Sequence, residues 1–159
     1  MKMINLNIAI KHCQLDELTA ADRELIDHAM KATDNAYAEY SHFYVGAALR
    51  LANGRIVIGA NQENAAFPSG LCAERTAVFS AQANFPDQSI ESLALVACND
   101  NGLIDNPVTP CGACRQVLLG VEERYAHLMR VLMYGKSGVY IVDSVKDLLP
   151  LSFVDSSMK

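Results

Sequence analysis

A chain of 159 residues is long enough for one compact domain with its own core. Hydrophobic residues make up 51% and charged residues 19%, the balance of an ordinary globular protein. A net charge of −5 argues against a broad phosphate-binding face, so a polynucleotide partner is not expected.

No run approaches the ~20 apolar residues of a membrane span. Asn5, Asn7 and Lys11 interrupt the apolar N-terminus, and no small-residue cleavage site follows it. The expectation is a cytoplasmic protein with no membrane partner. The cysteines are Cys13, Cys72, Cys98, Cys111 and Cys114. An odd number without a signal segment suits metal binding or free thiols better than a disulfide framework.

In chain order, Ile4, Leu6, Ile8 and Ile10 alternate with other residues, the period of a strand. Thr19 is placed to cap a helix, with Asp22 as its box partner. Leu25, Ile26, Ala29 and Met30 give that helix an apolar face, and the pattern carries it to about Tyr37. Phe43 to Leu51 reads as a strand, Asn53-Gly54 as a hairpin turn, and Arg55 to Ala60 as the returning strand. Residues 61–71 read as a loop.

Cys72 to about Asn84 reads as a helix, stopping before Phe85-Pro86. Ser92 to Cys98 is a continuous apolar run, as in a buried strand that would make Cys98 a core thiol. A second Asn-Gly turn stands at Asn101-Gly102. Pro110 precedes a helix from Cys111 to about Tyr125. Strands follow near Arg130–Tyr134 and Val139–Val142, and Ser144 is placed to cap a short last helix. Strands alternating with helices imply a sheet covered on both faces, and the early hairpin makes it mixed. The expected fold is a three-layer α/β/α sandwich with a mixed five-stranded sheet, plus an N-terminal strand.

The chemistry gathers at the cysteines. Cys111 and Cys114 stand three apart at a helix start, so both thiols face one way. Cys72 opens another helix. Three thiolates from two helix N-termini can meet at one zinc ion, which suits soft sulfur and tetrahedral geometry. The helix dipoles favour the thiolate form. A structural zinc site is normally closed by four protein ligands, whereas three leave a position open for chemistry. Glu74, two residues after Cys72, stands about 200° around a helix from it, so it points away from the ligand direction and can face the water instead. Three thiolates against a dication leave a charge of about −1. Arg75 and Arg115 are candidates to moderate it. The histidines His12, His28, His42 and His127 have no ligand spacing and read as surface or structural residues.

With those residues assembled, the chain resembles the small homotetrameric cytidine deaminases. The matching segments are Tyr40 to Ala48, Asn61-Gln62-Glu63-Asn64-Ala65, Cys72-Ala73-Glu74-Arg75, Pro110-Cys111-Gly112-Ala113-Cys114-Arg115-Gln116 and Leu148 to Phe153. Cys, one residue, Glu, then Pro-Cys, two residues and Cys is a known signature of zinc deaminases. The resemblance divides the chain into an N-terminal extension, 1–18, and a catalytic domain, 19–159.

It implies that Cys72, Cys111 and Cys114 bind one zinc ion per subunit and that Glu74 shuttles protons. It implies that Asn61 and Glu63 hold the ribose hydroxyls, Phe43 stacks on the pyrimidine and the Ala73 backbone contacts the base. Ala65, Phe67 and Phe153 would shape a neighbouring subunit's pocket in a homotetramer; the plainer alternative is that both phenylalanines fill the chain's own core. Glu39 stands where the family often has proline, and Phe67 where it often has tyrosine. The implied reaction converts cytidine and deoxycytidine to uridine and deoxyuridine, a step of pyrimidine salvage. The competing readings are a deaminase of a related nucleoside such as blasticidin S, and a non-catalytic zinc-stabilised module, which would need a fourth protein ligand.

Overall fold

Successive side chains of a strand point to opposite faces, so each strand's sequence decides what can pack on either side of it. In this computed structural model, which describes residues 1–159, the strands are β1 (Lys11–Cys13), β2 (Phe43–Leu51), β3 (Ile56–Ala60), β4 (Ile90–Asn99), β5 (Gly102–Leu103), β6 (Arg130–Gly135) and β7 (Gly138–Val142). The helices are α1 (Ala20–Ala32), α2 (Ala73–Asn84) and α3 (Gly112–Tyr125). The sheet runs β1-β7-β6-β4-β2-β3, with β5 added beside β4. β4 and β6 are parallel, and every other pair is antiparallel. The expected mixed five-stranded sheet is therefore β7-β6-β4-β2-β3, and β1 and the two-residue β5 extend it.

Each face has its own core. Ala47, Leu49, Leu93, Leu95, Val131 and Met133 pack under α2 and α3. Ala48, Ala94, Val96 and Leu132 pack against Leu25, Ile26 and Ala29 of α1. The helices approach where the strands carry no side chain. A Cβ on Gly46 would collide with the Ala29 carbonyl oxygen of α1, and one on Gly59 would lie 2.5 Å from Ala73 O and Ala77 N of α2. The Asn53-Gly54 turn closes the β2–β3 hairpin with Gly54 at φ +81°.

Away from the site, Glu122 of α3 ties the sheet to the C-terminal tail. It is 3% exposed, and it accepts hydrogen bonds from Met129 N, Val145 N and Ser144 Oγ at 2.8–2.9 Å. Arg130 at the start of β6 pairs with Asp22 of α1 at 3.2 Å.

Several expectations are corrected. The alternating segment Ile4–Ile10 is not the N-terminal strand; its four apolar side chains are exposed, and the strand is Lys11–Cys13. β1 runs antiparallel to β7, with Lys11 opposite Ile141, and β7 ends at Val142, so earlier residues soon run out of strand to pair with. The first helix ends at Ala32, not near Tyr37: Thr33–Asn35 tighten into a 3-10 turn, with Thr33 Oγ1 donating to Met30 O. Thr19 does cap that helix, accepting from Asp22 N at 3.1 Å, but the Asp22 side chain turns to Arg130 instead of closing a box. The short helix expected after Ser144 is a 3-10 turn, Val145–Leu148, capped by Ser144, and a further 3-10 turn follows at Asp155–Met158. Cys98 is half-buried, since β4 there pairs with Tyr44 and the short β5 near the sheet's rim.

Candidate active site

Cys72 and Cys111 each occupy the N-cap position of a helix, in extended backbone, and neither side chain caps its own helix. Ser, Thr, Asp or Asn in their place would contribute about 1 kcal/mol to the helix start. The first-turn N–H groups are thus left facing the sulfurs, where their partial positive charge favours thiolate. Cys114 follows three residues after Cys111, which is where a helix brings the N-cap side chain beside its first turn.

The three Sγ atoms lie within 4.8 Å of one another, and Cys72 and Cys111 are 3.9 Å apart. Tetrahedral zinc with sulfur at about 2.3 Å requires an S···S edge of about 3.8 Å, so the thiol set fits that ion. The thiols share their protons unevenly. Hydrogen bonding, first from Cys114 and then from Arg75, holds Cys72 down to about 5, while Cys114 is pushed up by its bond to Cys72 and by burial. Loading a metal must therefore release protons.

Glu74 is 5% exposed, and burial is the main cause that raises its pKa. It lines the same cavity as Cys72 and Cys111, with a volume of about 250 Å³. Cys72 is the N-cap and not the first residue inside the helix, and it lines one cavity together with Glu74. Arg75 donates to Cys72 Sγ at 3.7 Å. Its Nε is buried with no partner. Arg115 is corrected: it donates to Pro110 O and Leu148 O at 2.7 Å and to Thr109 Oγ1, bracing the Pro110-Cys111 turn against the tail.

Phe43, Asn61, Glu63 and Ala73 line the same cavity. The backbone after β3 is pinned on both sides, by Tyr37 N to Asn61 O and Glu63 N to Tyr37 O, and by paired bonds between Gln62 and Leu71. Asn61 accepts from Val45 N and donates to Phe43 O, both at 2.8 Å, so half of its amide's capacity is structural. Ser41, Val45, Val108 and Thr109 also line the cavity and were not singled out from the sequence. Only Ser41 and Val45 carried a signal, lying inside the Tyr40–Ala48 segment.

Ala65, Phe67 and Phe153 do not join this cavity within the chain. Phe67 is 69% exposed and stands edge-on to Tyr40 at 5.1 Å; Phe153 is 59% exposed. The reading that they fill the chain's own core is overturned. The histidines lie elsewhere: His12 against Ser137 O, His42 beside Asp100, His127 beside Glu91.

A helix-flanked mixed sheet that brings three thiols beside a buried glutamate defines a zinc-binding deaminase domain. Residues 19–127 match the family model for the cytidine and deoxycytidylate deaminase zinc-binding region. The chain is 38% identical to the cytidine deaminase of Halalkalibacterium halodurans over 86% of its own length and 98% of that protein. It is 41% identical to that of Sporosarcina psychrophila over 82% and 89% of the two chains. The crystal structure of cytidine deaminase from Burkholderia pseudomallei superposes with a TM-score of 0.72 at 37% identity, covering 86% of this chain and 100% of that one. The chain belongs to the cytidine deaminase family, whose matched region binds zinc.

Proposed function

We propose that this chain hydrolyses the exocyclic amine of cytidine and deoxycytidine, giving uridine or deoxyuridine and ammonia. The observation that carries this reading is the buried Glu74 carboxyl in a cavity walled by Cys72 and Cys111 on one side and by Phe43, Asn61 and Glu63 on the other. Cys72, Cys111 and Cys114 hold the zinc ion, which when bound acts as a Lewis acid toward water. Glu74 takes a proton from the attacking water and delivers it to ring N3, which makes C4 electrophilic. The water oxygen bonds to C4, and Glu74 then carries the proton of that new hydroxyl to the amine, so that the C4–N bond breaks as the C4 carbonyl forms and ammonia leaves. Phe43 stacks on the pyrimidine, the Ala73 backbone contacts its edge, and Asn61 and Glu63 bind the sugar hydroxyls. Arg75 offsets part of the thiolate charge through its contact with Cys72.

A steady-state panel over cytidine, deoxycytidine, cytosine, CMP, adenosine and blasticidin S tests the substrate class. Turnover is expected on the first two, with no comparable kcat/KM on the others. A clear preference for blasticidin S or CMP would refute the assignment.

The same reading makes the working form a homotetramer in the cytoplasm, serving pyrimidine salvage. No helix is long and apolar enough to cross a membrane. Ala65, Phe67 and Phe153 are exposed, as residues that wall a neighbour's cavity would be in a single chain. Diluting the enzyme while following its size by light scattering is expected to abolish activity as subunits separate. A fully active monomer would exclude shared sites.

A further inference from the structure

A glutamate on a loop is free to turn, but Glu63 is not. Its Oε2 accepts from the backbone N–H groups of Tyr40 at 3.0 Å and Ser41 at 3.2 Å, and its Oε1 accepts from the Ser41 hydroxyl. A carboxylate offers about four lone-pair positions. Three are therefore taken, and one remains, on Oε1. Ser41 Oγ in turn accepts from Phe43 N at 3.2 Å, so its single proton is committed to Glu63. The turn that allows this has His42 in the left-handed region at φ +52°, held by its N–H to Ala38 O at 2.9 Å. The Ser41 bond is also the largest influence holding the Glu63 carboxyl below the usual carboxylate range.

We propose that Ser41 is a positioning residue: it fixes the Glu63 carboxylate and leaves it one acceptor position for a ring hydroxyl of the sugar, of which cytidine and deoxycytidine share only the one on C3′. The inference rests on the proposed role of Glu63 in sugar binding. The same serine bonds the backbone of Phe43, so the group that stacks on the base and the group that holds the sugar share one anchor. Asn61 completes the subsite. With one N–H committed to Phe43 O, its other N–H is available to donate to the same hydroxyl. Without the serine hydroxyl, only Oε2 stays fixed, and Oε1 loses its direction.

The test compares 2′-deoxycytidine with 2′,3′-dideoxycytidine on the zinc-loaded wild type, Ser41→Ala and Ser41→Thr. The wild type is expected to prefer deoxycytidine. Ser41→Ala should shrink that preference about tenfold, through KM and not kcat, as for loss of a hydrogen bond to a charged group. Ser41→Thr should restore most of it, and in Ser41→Ala the loss on the dideoxy substrate should be clearly smaller than the loss on deoxycytidine. A wild type with no preference would remove the sugar role of Glu63 and this proposal with it. A wild-type preference that survives intact in Ser41→Ala overturns the proposal alone. An equal loss on both substrates in Ser41→Ala marks a purely structural serine and also overturns it.

Discussion

Glu74→Gln is expected to keep its fold and its zinc while losing at least ~10²–10⁴-fold in kcat on cytidine, the span usual for a general acid–base group. The amide has the shape of the carboxyl and cannot exchange a proton near neutral pH, so the change separates proton transfer from packing. Glu74 is 5% exposed and beside the thiols, where a carboxyl kept from bulk water can hold a proton between steps. A residue asked to serve N3 and the leaving amine in turn is expected to lie toward the upper end of that span. Zinc content and thermal melting of the variant should match the wild type. Near-wild-type kcat in the glutamine variant would remove Glu74 from the mechanism.

The second large effect concerns the thiols. Cys114→Ala should lower zinc affinity by about 10²–10³-fold, on the order of one ligand's share of a tight zinc site, and should bring deamination to background. Cys114 is fully buried at the first turn of α3, and alanine suits that helix position, so the chain should remain folded. Cys72→His offers a control. Imidazole is an accepted zinc ligand, and histidine is an alternative at this position of the signature, so this variant should retain more metal than Cys72→Ala. Metal per chain after exhaustive dialysis decides the matter. Stoichiometric zinc and full activity in Cys114→Ala would show that the three thiols are not the ligand set.

Much of this arrangement is legible in the sequence. The run from Phe43 to Leu51 gives a strand with the same bounds, and Asn53-Gly54 marks its turn, because period and φ preference are local properties. The three cysteines and Glu74 stand out through their spacing together with the known signature of zinc deaminases. What escaped depends on partners distant in sequence. Ile4 to Ile10 has a strand's period, but period does not reveal where β7 ends. Arg115 sits next to a zinc-ligand candidate in sequence, yet its guanidinium goes to Leu148 O, 33 residues on. Val108 and Thr109 enter the cavity only because α3 starts where it does. Ser41 carried its signal within a recognisable segment, but the two bonds that give it a role span two and 22 positions.

The bare backbone at Gly59 has a consequence for how the centre tolerates change. A Cβ there would meet Ala73 O and Ala77 N at 2.5 Å, so α2 rests on β3 with no clearance, like a shaft seated directly on its bearing. Metal–ligand distances tolerate only about ±0.2 Å. Lifting this helix by one methyl group would carry Cys72 and Glu74 away from the Cys111 and Cys114 thiols at the start of α3, which do not move with them. The misalignment would leave each helix intact, so the damage would register as a lost ion in a chain that still folds. One missing carbon atom thus sets the gauge between the two halves of the centre.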